Sequence, residues 1–124
     1  MSAEGSNVYD WPAELDALLA DPEHHKLLFE NDFIRVLDTL ILPGQVTNVH
    51  THKWSASLYV LSWSDFIRYD AGGTIMVDSR KLPETPAAAT AIWSGPLPPH
   101  ALENVGEKEL HIISVEIKNS FARP

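Results

Sequence analysis

The stretch Gly44-Gln45-Val46-Thr47-Asn48-Val49-His50-Thr51-His52 decides the fold, and it carries two histidines two residues apart. Successive side chains of a β-strand alternate between its faces, so His50 and His52 would leave the backbone on the same side. Two neutral imidazoles on one face are half of a metal site when a third donor reaches them from another strand. His100 is the candidate for that donor. The alternative is a solvated pair that binds nothing, since H-x-H pairs arise often by chance.

The remaining sequence has the pattern of an all-β domain. Short apolar runs rich in β-branched and aromatic residues are separated by Gly and Pro turns, which is typical of a sandwich or barrel. Gly72-Gly73 predicts a hairpin turn between two of these runs. The predicted strands cover about residues 32–42, 46–52, 57–63, 66–69, 74–77, 87–93, 100–105 and 110–118.

One short helix is predicted before the strands, packed on the outside of the domain. Residues 1–10 have the pattern of a loose leader, and Pro12 is suited to a first helical position. Leu15, Leu18 and Leu19 form an i, i+3, i+4 apolar stripe, and Asp21-Pro22 ends the segment.

Composition excludes several classes of function. A chain of 124 residues is one domain by length, and its net charge of −8 with nine Lys and Arg gives no basic stripe for nucleic acid or an anionic membrane. The absence of cysteine excludes disulfides, thiolate zinc sites and a cysteine nucleophile. The polar, acidic start and the lack of a long apolar run predict a soluble, cytoplasmic protein.

The order of the histidines resembles the cupin superfamily. The first cupin motif runs G-x5-H-x-H-x3/4-E-x6-G, and Gly44, His50 and His52 match it, whereas its glutamate position holds Ser57 (Ala56 with the shorter spacing). The second motif runs G-x5-P-x-G-x2-H-x3-N, and His100 and Asn104 match it. The resemblance covers about residues 27–118.

The resemblance implies a double-stranded β-helix, or jelly-roll, cupin barrel over residues 27–118. Residues 1–26 would form the leader and short helix, and residues 119–124 a C-terminal tail. His50, His52 and His100 would be the three metal ligands. Ser57 would hold a water molecule or pack in place of the usual carboxylate, and Asn104 would hydrogen-bond around the site or shape the pocket.

Three neutral imidazoles would leave a divalent ion with its full charge, which favours an anionic, chelating substrate. Cupins with three-histidine sites include thiol and diketone-cleaving dioxygenases, so the resemblance implies an Fe(II) dioxygenase using O2, with Zn, Ni or Mn as other candidate metals. A non-catalytic small-molecule-binding cupin and a metal-dependent isomerase or lyase are the alternatives. No Asp or Glu is evident on the inward faces, which weighs against proton-shuttling chemistry.

Several other residues are candidates for the site or its surroundings. Ser57, Tyr59 and Asn104 are the candidate catalytic residues, with core packing as the alternative for Tyr59. A surface position is predicted for the adjacent pair His24-His25, because neighbouring side chains point in different directions. Solvated strand faces are predicted for Arg35 and Arg68, with pairing to an anionic substrate as the alternative for both. A core or rim position is predicted for His111, and pairing through sheet edges predicts a homodimer.

Overall fold

The structure is a computed structural model that describes residues 8–118, and nine β-strands lie in this part of the chain. An α-helix, α1 (Ala17–Ala20), precedes them, and short 3-10 turns lie at Val8–Asp10, Ala13–Leu15 and Ser79–Lys81. The strands are β1 (His25–Glu30), β2 (Ile34–Ile41), β3 (His50–His52), β4 (Ala56–Ser62), β5 (Phe66–Asp70), β6 (Ile75–Asp78), β7 (Thr90–Ser94), β8 (Leu97–Asn104) and β9 (Leu110–Ile117).

The strands form two antiparallel sheets. The five-stranded sheet has the order β1-β2-β9-β4-β7, and the four-stranded sheet has the order β3-β8-β5-β6. Strands that are distant in the sequence are neighbours in both sheets, as in the pairing of β2 with β9 and of β3 with β8. This arrangement confirms the predicted all-β fold with one short N-terminal helix.

The interior is built from alternate residues of these strands, because a half-buried strand turns every second side chain inward. Leu37 of β2 and Val60 of β4 are fully buried, and Ile41, Ile67 and Leu110 are nearly so. The predicted hairpin at Gly72-Gly73 is confirmed: β5 and β6 pair across it, and Asp70 accepts hydrogen bonds from the backbone N–H groups of Gly72 and Thr74.

The N-terminal segment differs from the predicted helix over 12–20. Only α1 is α-helical, and a separate 3-10 turn precedes it. Asp16 separates the two, because its side chain accepts a hydrogen bond from the N–H of Leu18 as an N-cap. The same carboxylate also pairs with Arg35 on β2, and this pairing fastens the segment to the larger sheet.

Strand limits also differ from those predicted. The first strand begins at His25, two residues before the predicted start of β structure at Leu27, and the histidine strand shortens to the three residues of β3. Within residues 8–118, no helix is long and apolar enough to cross a lipid bilayer. The division into leader, barrel and tail stays a prediction, and residues 1–7 and 119–124 lie outside the described part of the chain.

Gly106 lies where another part of the backbone approaches closely. A Cβ atom at this position would clash with Ser64 Oγ and would lie 2.8 Å from the backbone nitrogen of Asp65. We therefore expect Gly106→Ala to lower the free energy of unfolding by about 1–3 kcal/mol, measured by urea denaturation, because the backbone must shift to make room. Gly72→Ala is the control, since its nearest neighbour would lie 3.5 Å away. Equal stability of the two variants would contradict the close approach.

Candidate metal centre

The pairing of β3 with β8 brings two distant histidines together. His50 lies directly opposite His100 in the antiparallel register, and their ring centroids are 4.3 Å apart. The register is irregular between His50 and His52, and the ring of His52 lies 5.0 Å from that of His50 and 5.7 Å from that of His100. The structure thus brings together the three histidines that the sequence motif singled out, while their role as ligands stays a prediction.

A fourth histidine, His25, joins this cluster, and its predicted surface position is wrong. His25 is only 4% exposed, and its ring lies 4.7 Å from that of His50 and 5.3 Å from that of His52. One ring nitrogen from each of His25, His50 and His52 lies within 4.8 Å of the other two, a spacing that can hold a metal ion. We refer to His25, His50, His52 and His100 as the histidine cluster.

The neighbouring His24 is not part of the histidine cluster, although its Nδ1, like that of His25, lies 3.0 Å from the carboxylate of Asp21. Its Nδ1 lies 3.0 Å from both carboxylate oxygens of Asp21. The prediction failed for His25 because β1 begins at that residue and carries its side chain into the cluster. His24 is also buried, at 7% exposure, so neither histidine lies on the surface.

Every ring of the histidine cluster is held through Nδ1. The Nδ1 atoms of His25, His50 and His100 lie 2.7–3.0 Å from backbone carbonyl oxygens, those of Asp21, Asn48 and Pro98 respectively. A carbonyl oxygen can only accept, so Nδ1 must carry the proton, and the lone pair of a neutral ring is then on Nε2. His52 Nδ1 lies 3.0 Å from a carboxylate oxygen of Glu116, the other common partner of metal-binding histidines.

Burial keeps two rings of the cluster, His50 and His100, uncharged. Burial, followed by the charges that His52 and His25 would carry, lowers the pKa of His50 to about 3. Burial and the same repulsion from His50 and His52 lower the pKa of His100 well below its usual value. Both rings are therefore neutral at pH 7 and available as ligands.

Asp21 connects His25 to the loop before β3. Its backbone carbonyl accepts from His25 Nδ1, and its carboxylate accepts from the backbone N–H of Asn48, whose own carbonyl oxygen holds His50. Burial by itself raises the pKa of this carboxyl, but hydrogen bonds from His25, Asn48 and His24 outweigh burial and lower the pKa to about 2. The Asp21 carboxylate also lies 3.0 Å from His25 Nδ1, so this one residue positions two rings of the cluster, His25 directly and His50 through Asn48.

A buried carboxylate also faces the cluster, which corrects the expectation that no inward acid exists. Glu116 on β9 is 1% exposed; it lies 3.0 Å from His52 Nδ1 and accepts a hydrogen bond of 2.7 Å from Arg35. Burial raises its pKa, but the hydrogen bond and charge of His52, with Arg35, lower it overall, so Glu116 is ionised at neutral pH. Arg35 is itself buried and also pairs with Asp16, so its predicted solvated position is wrong.

The histidine cluster lies in the wall of a cavity of about 120 Å³ between the two sheets. This volume is close to that of a cavity able to hold benzene. Its surface is mostly apolar, and the other polar groups in its wall include Arg68 and Glu116. The large apolar side chains of the wall are Ile41, Trp54, Leu58, Leu97, Leu102, Leu110 and Ile112.

The three candidate catalytic residues do not face this cavity. Ala56 and Leu58 are the lining residues of β4, so Ser57 and Tyr59 belong to the opposite face, and Tyr59 is 42% exposed. The cupin glutamate position is therefore occupied at the cavity wall by Ala56, which offers no donor atom. The catalytic roles proposed for Ser57 and Tyr59 lose their geometric basis.

Asn104 is fully buried but belongs to a structural network outside the cavity wall. Its Nδ2 donates to the carbonyl oxygens of Ile41 and Lys108, and its Oδ1 accepts from Ser64 Oγ and the N–H of Gly106. These four bonds fix the end of β8 against neighbouring loops. They give Asn104 a role in holding the barrel closed instead of in chemistry.

His111 also lies apart from the cluster. Its Nε2 lies 2.8 Å from Asp38 on the neighbouring strand β2. Its odd-numbered position on β9 places it on the face opposite Leu110, Ile112, Ser114 and Glu116, which line the cavity. His111 therefore lies outside both the histidine cluster and the cavity wall.

Comparison with known proteins supports the fold alone. No protein-family model matches the sequence, and no curated protein matches it. A cupin domain from Bordetella pertussis Tohama I superposes with a TM-score of 0.60 at 15% identity, over 76% of this chain and 91% of that one. An RmlC-like cupin with a double-stranded β-helix fold from Methanocaldococcus jannaschii gives 0.53 at 8% identity, over 75% and 77%.

A third similar structure covers nearly the whole chain. It is an uncharacterised protein with a double-stranded β-helix domain from Klebsiella pneumoniae, with a TM-score of 0.52 and 16% identity over 96% of this chain and 94% of that one. The chain thus has the cupin double-stranded β-helix fold, as the motif predicted. Identities this low carry no information about its reaction.

The neutral buried ring of His50 makes the stability of the metal-free protein depend on pH. The unfolded chain takes up a proton at this ring below about pH 6.5, whereas the folded chain does so only near pH 3, so stability is lost as pH falls between these values. We expect His50→Asn to reduce the slope of unfolding free energy against pH by about one proton, or about 1.4 kcal/mol per pH unit, between about pH 4 and 6. Urea denaturation of chelator-treated protein measures this slope.

His111→Asn is the matched control, because His111 lies outside the histidine cluster. A slope unchanged by His50→Asn would show that this ring is not held neutral by its surroundings.

Proposed function

We propose that this protein is a mononuclear metalloenzyme, an Fe(II)-dependent dioxygenase that acts on a small anionic or chelating molecule of the β-diketone or thiol type. The observation that carries the proposal is the histidine cluster: each of its rings is held at Nδ1, and His25, His50 and His52 each place one ring nitrogen within 4.8 Å of the other two. Rings oriented in this way through their outer nitrogen are characteristic of metal-ligating histidine.

The residues present fit a divalent metal by their donor chemistry. Imidazole nitrogen suits Fe, Zn, Ni and Cu, and neutral rings need not lose a proton before they bind the ion. Burial disfavours the charged forms of His50 and His100 and so keeps both rings neutral. The lone pairs of these buried rings, which water does not reach, would then stabilise a bound cation. No carboxylate replaces a ring in the cluster, because Glu116 approaches the site through His52 Nδ1.

This donor set favours an anionic substrate. Neutral ligands leave the charge of a divalent ion uncompensated, and such an ion lowers the pKa of a molecule bound to it. If the metal is Fe(II), it can also supply O2 activation. The chain's own contribution is the apolar wall of Leu58, Leu97 and Ile112, which excludes water and strengthens charge interactions in the cavity.

Glu116 favours a second candidate, a metal-dependent isomerase or lyase. It is an ionised carboxylate at the cavity wall, and proton transfer needs a base near the substrate. Arg35 and His52 already occupy both of its oxygens, which holds the carboxylate in place and lowers its basicity. For this reason we place the dioxygenase first.

A cytoplasmic location and a homodimer are part of the same proposal. The edge strands β1 and β7 of the larger sheet carry exposed apolar side chains, among them Leu28, Phe29 and Trp93. Pairing of two copies through such an edge would cover them.

Metal binding tests the role of the cluster. We expect His25→Ala and His50→Ala each to weaken Fe(II) or Zn(II) binding by about 10- to 100-fold, because each removes one nitrogen donor from the shared point. Competition with a chromophoric chelator measures the affinity. His111→Ala should bind metal like the unchanged protein, and the same affinity in all three variants would remove the cluster as a metal site.

Oxygen consumption tests the reaction. Protein loaded anaerobically with Fe(II) should consume O2 only when a small thiol or β-diketone is added, and the Zn(II) form should not, since Zn(II) has no redox chemistry. An oxygen electrode with a panel of such compounds measures the uptake. Tight iron binding without substrate-dependent uptake would reject the dioxygenase and leave the isomerase or lyase.

A further inference from the structure

Arg68 points into the cavity beside the histidine cluster, where the sequence predicted a solvated face. It lies on β5 directly opposite Leu102 of β8, and both residues line the cavity wall. His100 is two residues before Leu102 on β8 and shares its face. Arg68 on β5 and His100 on the adjacent strand β8 therefore line the same cavity.

The guanidinium of Arg68 has no hydrogen-bond or ion-pair partner among residues 8–118. The contrast with the other two arginines of this region is clear, because Arg35 pairs with Asp16 and Glu116 and Arg80 pairs with Asp78. Burial lowers the pKa of Arg68, and no carboxylate counteracts this effect. Arginine nevertheless stays charged at neutral pH, since its pKa remains very high in proteins.

A half-buried charge without a partner reduces stability, and proteins keep such groups mainly where function needs them. The cavity offers no internal anion to satisfy it, because Arg35 and His52 already hold the carboxylate of Glu116. The positive charge of Arg68 also opposes protonation of His100, so its field reaches the cluster through the cavity.

We propose that Arg68 binds the carboxylate of a small substrate whose other end reaches the histidine cluster. The proposal rests on the metalloenzyme function for the second contact only. A guanidinium matches a carboxylate through two parallel N–H···O bonds, which a lysine in this position would not reproduce. The cavity of about 120 Å³ and its apolar wall restrict the ligand to a short monocarboxylate with a compact apolar body.

Carboxylate and amide pairs of equal shape test this subsite. We expect acetate, propionate or butyrate to bind at least about tenfold more tightly than the corresponding amide, equivalent to about 1.4 kcal/mol. NMR titration of the chelator-treated protein and of the Zn(II) form measures both affinities. Arg68→Met should abolish the preference and Arg68→Lys should retain part of it.

Arg80→Met is the matched control, because Arg80 pairs with Asp78 on an exposed turn and should keep the full carboxylate preference when replaced. Arg68→Met should also resist urea at least as well as the unchanged protein, since it removes an unpaired charge. If Arg68→Met does not fold, Arg68→Gln takes its place in the same titrations.

The outcomes separate this inference from the metalloenzyme. The carboxylate subsite would be overturned if the chelator-treated protein and the Zn(II) form both bind the carboxylate and the amide equally. It would also be overturned if the preference for the carboxylate survives Arg68→Met. Neither result would affect Zn(II) binding. A preference that depends on Arg68 in a protein that binds no metal would uphold the subsite and reject the metalloenzyme.

Discussion

The site depends on the hydrogen bonds that fix Nδ1 of four histidine rings. Each bond selects the tautomer that leaves the Nε2 lone pair available and sets the direction in which the ring points. Three of the acceptors are backbone carbonyl oxygens, whose positions follow from the course of the chain. The fold therefore orients these donors through the backbone itself and needs few additional side chains to hold them.

Two ionised carboxylates connect the histidine rings to other parts of the molecule. Asp21 joins the start of β1 to the loop that carries Asn48, so the same residue fixes the positions of His25 and His50. Glu116 joins His52 to Arg35, and Arg35 reaches the N-terminal segment through Asp16. The short segment before the barrel is thus part of the support of the site, although it contributes no ligand from its helix.

The sequence was sufficient for the fold and for the meeting of His50 with His100. Apolar alternation, regular turns and the order of the motif histidines all predicted a cupin barrel, and the β3–β8 register places these two rings opposite each other. The sequence did not predict that His25 belongs to the cluster, because its strand begins with polar and mixed residues, which weaken the alternation signal. The sequence signal that could have identified His25 was its position at the start of an edge strand.

The other errors come from the face assigned to a strand. The register decides which alternate set turns inward, and a shift of one residue exchanges the two sets. On β4 the cavity is lined by Ala56 instead of Ser57, and on β9 it is lined by Glu116, although no inward carboxylate was expected. Arg68 follows the same rule on β5, where a charged residue on the inward face contradicts the usual pattern and for that reason indicates a ligand.

The tautomers of the buried rings show whether the backbone carbonyl oxygens orient them for metal binding. Two-dimensional ¹H–¹⁵N correlation of the ring nitrogens in chelator-treated protein at neutral pH distinguishes a protonated Nδ1 from a protonated Nε2. The structure predicts that His50 and His100, whose pKa values burial lowers, carry the proton on Nδ1 and show an unprotonated Nε2 before any metal is added. Rings protonated on Nε2, or exchanging between both forms as in water, would contradict the account.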